Sequence, residues 1–254
     1  MKVVFYFKLI LVILWFLIAY FLGAMLCFFR WGNRKNFKVA TELASWGVLK
    51  IIGIRVVYLQ KHFLDQAPPL VFMGKHQSML DVMTYGSYVP NDVTLVVKKE
   101  IQWVPIFNLL MWGSNQLFID RKNREDSIAR LSKISRYMKT NQVSVAIAPE
   151  GTRNVQGDGF LPFKKGGFHL AIDAQAAIVP VVCAPLKRLY HYPSKHIRPG
   201  TLYIKVVDPI PTTGLTKNDV NDLMEKTQDA MIKAYEEVSQ LDPFSKPDHT
   251  SPRD

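Results

Sequence analysis

The stretch VFMGKHQSMLDV, residues 71–82, predicts how the fold is built. Its first three residues are apolar, as in a buried strand, and Gly74 ends that run. A serine with a carboxylate three residues later is a signature of a helix N-terminus. The stretch therefore predicts a strand, a polar loop that carries His76, and a helix capped by Ser78 with Asp81 in its first turn.

The chain after residue 53 alternates between strand-like and helix-like segments. The strand-like segments are 54–59, 69–73, 92–99, 116–120, 143–149, 177–184 and 201–208. The helix-like segments are 78–89, 104–113, 124–140, 166–174 and 216–240, the last with a possible capping box of Thr216 and Asp219. Such alternation predicts an α/β domain with a mixed, largely parallel sheet flanked by helices.

The N-terminus predicts a membrane anchor. Residues 9–29 are uncharged and long enough to span a hydrocarbon core of roughly 30 Å. No small-residue cleavage site follows them, so a signal peptide is not expected. Residues 39–59 suggest a second helix with a broad apolar face. The anchor could span the bilayer, lie on its surface, or form a hairpin that dips in and returns.

Three regions are predicted along the chain. Residues 1–52 form the membrane-anchoring helices, 53–241 the α/β domain, and 242–254 a polar, flexible tail. Basic residues are more frequent after the first apolar run than before it, with Arg34 and Lys35 among them. By the positive-inside rule, the α/β domain lies on the cytoplasmic side of the cell membrane.

Charge and cysteine content limit the classes of partner and site. The formal net charge of +11 suggests an anionic partner (phospholipid, nucleic acid or a phosphorylated substrate), although scattered solvated charges would give the same total. Nucleic acid is not expected, because the basic residues do not alternate with aromatic platforms. The two cysteines lie far apart, and no histidine pairs with a carboxylate at ligand spacing, so neither a disulfide nor a metal site is predicted.

His76 and Asp81 are the candidate catalytic pair. Residues five apart on one helix point about 140° away from each other, so they can meet only if His76 precedes the helix. Asp81 would then accept one ring N–H and leave the other nitrogen as a general base. No G-x-S-x-G elbow occurs and Cys183 lies in an apolar run, so a substrate alcohol is the expected nucleophile. The alternative is a capping aspartate beside an ordinary loop histidine.

Two more stretches place charged residues after predicted strands. LFIDR ends at Arg121, and APEGTR contains Glu150 and Arg153. Ligands of open α/β sheets bind beyond the carboxyl ends of strands, and arginine binds phosphate in a bidentate manner. Glu150 could hold a substrate hydroxyl. The alternative is surface ion pairs, such as Glu150 with Arg153.

These stretches, in this order, resemble the glycerolipid acyltransferases, in particular the 1-acyl-sn-glycerol-3-phosphate acyltransferases. HQSMLD is similar to the H-x4-D motif of that family, LFIDR to its second block, PEGTR to its third and IVPV to its fourth. PFKKG, residues 162–166, is similar to the segment between the last two. The chain departs from the pattern at Asn115, where glycine is usual, and at Ala148, where a bulky residue is common.

The resemblance implies a reaction and its site. His76 would deprotonate the 2-hydroxyl of lysophosphatidic acid, Asp81 would orient His76, and the oxygen would attack an acyl thioester to give phosphatidic acid. The implied substrate-binding residues are Arg121, Glu150, Gly151, Thr152 and Arg153, with Lys98 or Lys99. The implied partners are lysophosphatidic acid, acyl-CoA or acyl-carrier protein as co-substrate, and the lipid bilayer, with no other cofactor.

Two alternatives remain open at the level of sequence. The acceptor could be glycerol 3-phosphate, another lysophospholipid or an acylated amino-acid lipid. A protein of another class, a membrane-anchored lipid-binding protein without catalysis, would carry the same anchor.

Overall fold

A seven-stranded sheet forms the centre of the molecule. The computed structural model describes residues 2–105, 107–119, 124–154 and 159–241. The strands are β1 (Ile54–Leu59), β2 (Leu70–Gly74), β3 (Val93–Lys98), β4 (Leu117–Ile119), β5 (Ser144–Ile147), β6 (Ala177–Cys183), β7 (Tyr190–His191), β8 (His196–Ile197) and β9 (Gly200–Val206). The helices are α1 (Lys2–Phe29), α2 (Lys35–Ile52), α3 (Asp81–Tyr85), α4 (Phe107–Gly113), α5 (Arg124–Asn141), α6 (Gly166–Ala174) and α7 (Val220–Leu241).

The sheet is mixed and largely parallel, which confirms the predicted fold class. Its strand order is β1-β9-β6-β2-β5-β3-β4. Neighbouring strands are parallel except β6 and β9, which pair in the antiparallel sense. β7 and β8 form a separate two-stranded ribbon that the sequence pattern did not predict.

Helices cover both faces of the sheet, because successive side chains of a central strand point to opposite sides. On β2, Phe72 packs into the core that includes residues of α1, α2 and α4. Val71 and Met73 pack into the core that includes residues of α5, α6 and α7. The chain is therefore a three-layer structure with the sheet in the middle.

The first two helices form an antiparallel hairpin. A Cβ atom added at Gly23 would lie 2.3 Å from Cβ of Ala40, and one at Gly47 would lie 2.0 Å from the Trp15 ring, so the helices are in close contact along their length. α2 starts before the predicted segment 39–59 and ends at Ile52, and the last six residues of that segment are β1.

Both ends of α1 contact the α/β domain. Near its start, Phe5 stacks on Tyr190 of β7 with a centroid separation of 6.4 Å. Near its end, Cys27 lies against Gly113 of α4. The hairpin shares its core with the sheet. The predicted division between a membrane-anchoring region and an α/β domain at residues 52 and 53 therefore stays a prediction.

The predicted bounds and cap of α3 are wrong, whereas the predicted position of Asp81 in its first turn is confirmed. The helix begins at Asp81 and ends at Tyr85, instead of covering 78–89 with Ser78 as its cap. The Ser78 hydroxyl accepts from the Leu80 N–H at 3.2 Å, and the Ser78 N–H donates to the Asp81 carboxylate at 3.0 Å. These bonds close a turn before the helix starts. The capping box of Thr216 and Asp219 is confirmed, and it leads through a 3-10 turn into α7.

Candidate active site

The carboxyl ends of four parallel strands bring the candidate residues to one edge of the sheet. β2, β5, β3 and β4 are successive neighbours, so they all end there. His76 follows β2 by two residues, Glu150 follows β5 by three, and Lys98 is the last residue of β3. This is the edge at which open α/β sheets bind ligands. Arg121, which follows β4 in the sequence, lies outside the described residues.

His76 and Asp81 form the predicted pair. His76 Nδ1 lies 2.6 Å from Asp81 Oδ2. The same oxygen accepts the N–H groups of Gln77 at 2.6 Å and Ser78 at 3.0 Å, so the carboxylate is fixed by three donors. Asp81 is 3% exposed, whereas 31% of the His76 side chain is exposed. With Nδ1 held by Asp81, Nε2 is the ring nitrogen left to face a substrate.

Glu150 contacts the backbone of the candidate catalytic loop, residues 74–81. Its carboxylate is buried, Oε1 accepts the His76 N–H at 3.2 Å and Oε2 accepts the Leu161 N–H at 2.8 Å. Both oxygens are therefore occupied by backbone donors, and the ion pair with Arg153 considered above does not form. Glu150 positions the backbone of His76; a contact with substrate stays a prediction.

Three residues that sequence reasoning missed also hold the loop. Gln77 donates from Nε2 to the carbonyls of Cys183 at 3.0 Å and Ala184 at 3.2 Å. The Tyr85 hydroxyl donates to the Lys75 carbonyl at 2.8 Å, and the Asn154 N–H to the His76 carbonyl at 2.9 Å. Burial raises the pKa of Tyr85 well above its usual value, so it stays a neutral donor. Gln77 stands within the HQSMLD motif, but its partners are about a hundred residues away.

The candidate phosphate ligands lie on the surface of the same edge. Thr152 and Arg153 are exposed. Gly151 has a φ of +69°, in the left-handed region that favours glycine, and turns the chain between Glu150 and Thr152. Lys98 forms an exposed ion pair with Glu100 at 3.1 Å. Such a pair contributes little stability, so an anionic ligand can compete for the ammonium group. Binding of substrate by these residues and by Lys99 stays a prediction.

An apolar cavity of about 340 Å³ adjoins the His76–Asp81 pair. His76 and Asp81 contribute to its wall, and the remaining lining is mostly apolar, with Phe37 of α2, Phe72 of β2 and Val97 of β3 among it. A base at the wall of an apolar cavity can act on a substrate whose reacting group is attached to a hydrocarbon chain.

The described residues offer no alternative nucleophile of the cysteine type in this site. Cys183 is fully buried, and burial raises the pKa of its thiol well above the usual value, so the thiolate is not available. Across the described ranges, His, Cys, Asp and Glu side chains do not gather in groups of three that could ligate a metal ion.

The family is decided by comparison with known proteins. Residues 55–184 match the family model described as Acyltransferase. The chain belongs to this acyltransferase family. It is 33% identical over 225 residues to human 1-acyl-sn-glycerol-3-phosphate acyltransferase alpha, which covers 89% of this chain and 79% of the human protein. These matches confirm the resemblance inferred from the four motif blocks.

Two other acyltransferases extend this comparison. A putative 1-acyl-sn-glycerol-3-phosphate acyltransferase of Caenorhabditis elegans, acl-2, is 41% identical over 172 residues, which are 67% of this chain and 61% of that relative. The crystal structure of the 1-acyl-sn-glycerophosphate (LPA) acyltransferase PlsC from Thermotoga maritima superposes with a TM-score of 0.64 at 21% identity, covering 82% of this chain and 80% of that one. At this identity, the structural match shows the acyltransferase fold alone.

Proposed function

We propose that the protein transfers an acyl chain from an acyl thioester to the 2-hydroxyl of 1-acyl-sn-glycerol 3-phosphate, which gives phosphatidic acid. The observation that carries this proposal is the His76–Asp81 pair at 2.6 Å beside an apolar cavity. The names of the human and C. elegans relatives support the same reaction.

The geometry suits general-base catalysis with a substrate nucleophile. His76 Nε2 takes the proton of the 2-hydroxyl while the oxygen attacks the thioester carbonyl carbon. Asp81 stabilises the imidazolium that forms. The tetrahedral intermediate then expels the thiolate of CoA or carrier protein, which receives the proton from His76. The protein contributes the base and its orientation, and it forms no covalent bond with the acyl group.

The lining of the site suggests where each part of the substrates binds. The apolar cavity takes a hydrocarbon chain, with the reacting atoms at its wall beside His76. Arg153 and Lys98 stand on the same sheet edge and supply positive charge for the acceptor phosphate, together with Lys99 and Arg121. Arginine suits this role because its planar guanidinium matches the phosphate oxygens.

The N-terminal hairpin supports binding to one face of a bilayer. Among the described residues, α1 is the helix whose length and composition would allow it to cross a membrane. Both of its ends contact the α/β domain, so a helix crossing the bilayer would have to carry part of that domain with it. Its outward face is apolar and exposed, including Phe7, Leu14 and Ile18. We therefore place the hairpin in the interface, with the site on the cytoplasmic face, where water-soluble thioesters are available.

The direct test is turnover by the purified protein with lysophosphatidic acid and either acyl-CoA or acyl-carrier protein. Phosphatidic acid formed with one or both thioesters is the expected result, and it identifies the donor. Parallel reactions contain glycerol 3-phosphate and other lysophospholipids. Faster turnover of one of these would change the acceptor but retain the reaction class. No transfer to any acceptor would contradict the proposed function.

A further inference from the structure

Lys75 is a buried cation directly before the candidate base. On β2, Val71 and Met73 point into the apolar core beneath α6 and α7. Lys75 continues the chain with the same alternation, and its N–H donates to the Val181 carbonyl of β6 at 3.1 Å. The residue is 1% exposed. A charged side chain thus occupies a position where the strand pattern calls for an apolar one, and such exceptions tend to mark functional positions.

The ammonium group of Lys75 contacts two other parts of the chain. It donates a hydrogen bond to the Gly159 carbonyl. It also lies 4.4 Å from the ring centroid of Phe160 and 4.8 Å from that of Tyr235 on α7. Aromatic faces attract a cation most strongly where water is excluded. Lys75 therefore joins the end of β2 to the loop between β5 and α6, and to the C-terminal helix.

Hydrogen bonds connect the residues that Lys75 contacts to the backbone of His76. Leu161, two residues after Gly159, donates its N–H to Glu150 at 2.8 Å, and the other oxygen of Glu150 accepts the His76 N–H at 3.2 Å. Asn154 closes a second path, because it donates to the Gly159 carbonyl at 3.3 Å from its side chain and to the His76 carbonyl at 2.9 Å from its backbone.

We propose that Lys75 is a positioning residue for the acyl transfer, whose ammonium fixes residues 159–161 and, through Glu150, the backbone of His76. This inference rests on the proposed function. Loss of the ammonium frees residues 159–161 and allows the imidazole to leave its reactive position. A displacement of about 1 Å can cost roughly 100-fold in rate, while substrate binding depends on other surfaces. The expected effect is therefore on kcat and not on KM.

The experiment compares Lys75→Met with Lys205→Met. Both changes remove a lysine that contacts α7, since Lys205 pairs with Glu237 on that helix, but Lys205 lies on β9 and not beside the catalytic loop. We expect kcat to fall roughly 10- to 100-fold in Lys75→Met, with KM for both substrates within about threefold of wild type. Lys205→Met should keep its kcat.

Hydrogen exchange supplies a readout that does not depend on turnover. In Lys75→Met, the amides of His76 and Leu161, which donate to Glu150, should exchange at least about tenfold faster, with no such change in Lys205→Met. Phe160→Leu, which removes the nearer ring, should lower kcat in the same direction, and it serves if Lys75→Met does not fold.

The outcomes separate this inference from the proposed function. An unchanged kcat together with unchanged exchange in folded Lys75→Met and Phe160→Leu would overturn the positioning role, even if the wild type acylates lysophosphatidic acid. A fall in thermal stability with normal kcat would overturn it as well. If the wild type acylates nothing, the proposed function fails, and exchange at His76 and Leu161 still decides whether Lys75 holds the loop.

Discussion

The catalytic loop and the N-terminal hairpin differ in how their side chains are held. In the loop, residues 74–81, polar contacts hold the side chains and the backbone: Asp81 accepts from three donors, and Glu150, which follows β5, accepts the His76 N–H. In the hairpin, the outward side chains of α1 are apolar and exposed. From this difference we expect the loop to determine the rate of turnover and the hairpin to determine binding to the membrane. Substitutions in the loop should therefore leave membrane binding unchanged, and substitutions in the hairpin should leave kcat unchanged.

His76→Ala is expected to have the largest effect on kcat without changing membrane binding. The change removes the base while the hairpin stays intact, so kcat should fall by about 100- to 10,000-fold. Binding to lipid vesicles, measured by flotation, should equal that of wild type. Near-normal turnover of the variant would mean that another group removes the proton, and that His76 does not determine the rate.

Asp81→Asn tests whether the orientation of His76 matters as well as its presence. The amide is nearly the same size, but it can present an N–H at the position where Asp81 Oδ2 accepts hydrogen bonds from three donors. We expect kcat to fall by roughly 100-fold, since the imidazole loses its fixed tautomer and the imidazolium loses its counter-charge. Steady-state kinetics measures this, and far-UV circular dichroism checks the fold. Equal kcat for both proteins would make Asp81 a structural cap only.

Arg153→Ala tests whether an exposed residue at the carboxyl ends of the strands binds the acceptor phosphate. Arg153 is exposed and not part of the hydrogen-bonded loop, so its loss should leave the base in place. A hydrogen bond to a charged group contributes about 1.5–3 kcal/mol, which corresponds to a rise of about 10- to 100-fold in the KM for lysophosphatidic acid. The KM for the thioester should change little. An unchanged acceptor KM would show that the phosphate is bound elsewhere.

The contact between His76 and Asp81 could be predicted from sequence because its geometry is local. His76 and Asp81 are five residues apart, and the end of a strand followed by a helix start leaves few ways to arrange them. The backbone contacts of Glu150 could not be predicted, because its partners, the N–H groups of His76 and Leu161, come from two different loops. The sequence shows a carboxylate after a strand, but not the direction in which the side chain points.

The position of the hairpin against the α/β domain could not be predicted from sequence either. A long uncharged apolar run predicted α1, and the succession of strand-like and helix-like segments predicted the α/β domain, but neither could tell a spanning helix from one that lies against the domain. That choice depends on contacts such as Phe5 with Tyr190, which are 185 positions apart in sequence. The antiparallel pairing of β9 with β6 was likewise unpredicted, because strand direction depends on the path of the intervening chain.

Leu14→Gln tests whether the outward face of α1 binds the membrane. Leu14 is 52% exposed on the outward face of α1, so the substitution disturbs little of the core. An apolar side chain of this size contributes about 1.5–3 kcal/mol on transfer from water, so vesicle affinity should fall about tenfold or more. kcat on detergent-dispersed substrate should not change. Ile232→Gln on α7, also exposed, is the matched control. Equal losses in both variants would remove α1 as the membrane surface.

The smallest effect is expected from Gly23→Ala, which tests the contact that holds the hairpin together. The new Cβ would lie 2.3 Å from Cβ of Ala40, so the two helices must separate. Overpacking of this kind costs about 1–3 kcal/mol, and it should lower Tm by several degrees without changing kcat per folded molecule. The double variant Gly23→Ala/Ala40→Gly moves the methyl group across the interface and should recover most of the lost Tm, measured by calorimetry. If the double variant is no more stable than Gly23→Ala, the helices do not pack at this point, and the hairpin is free to rearrange in a bilayer.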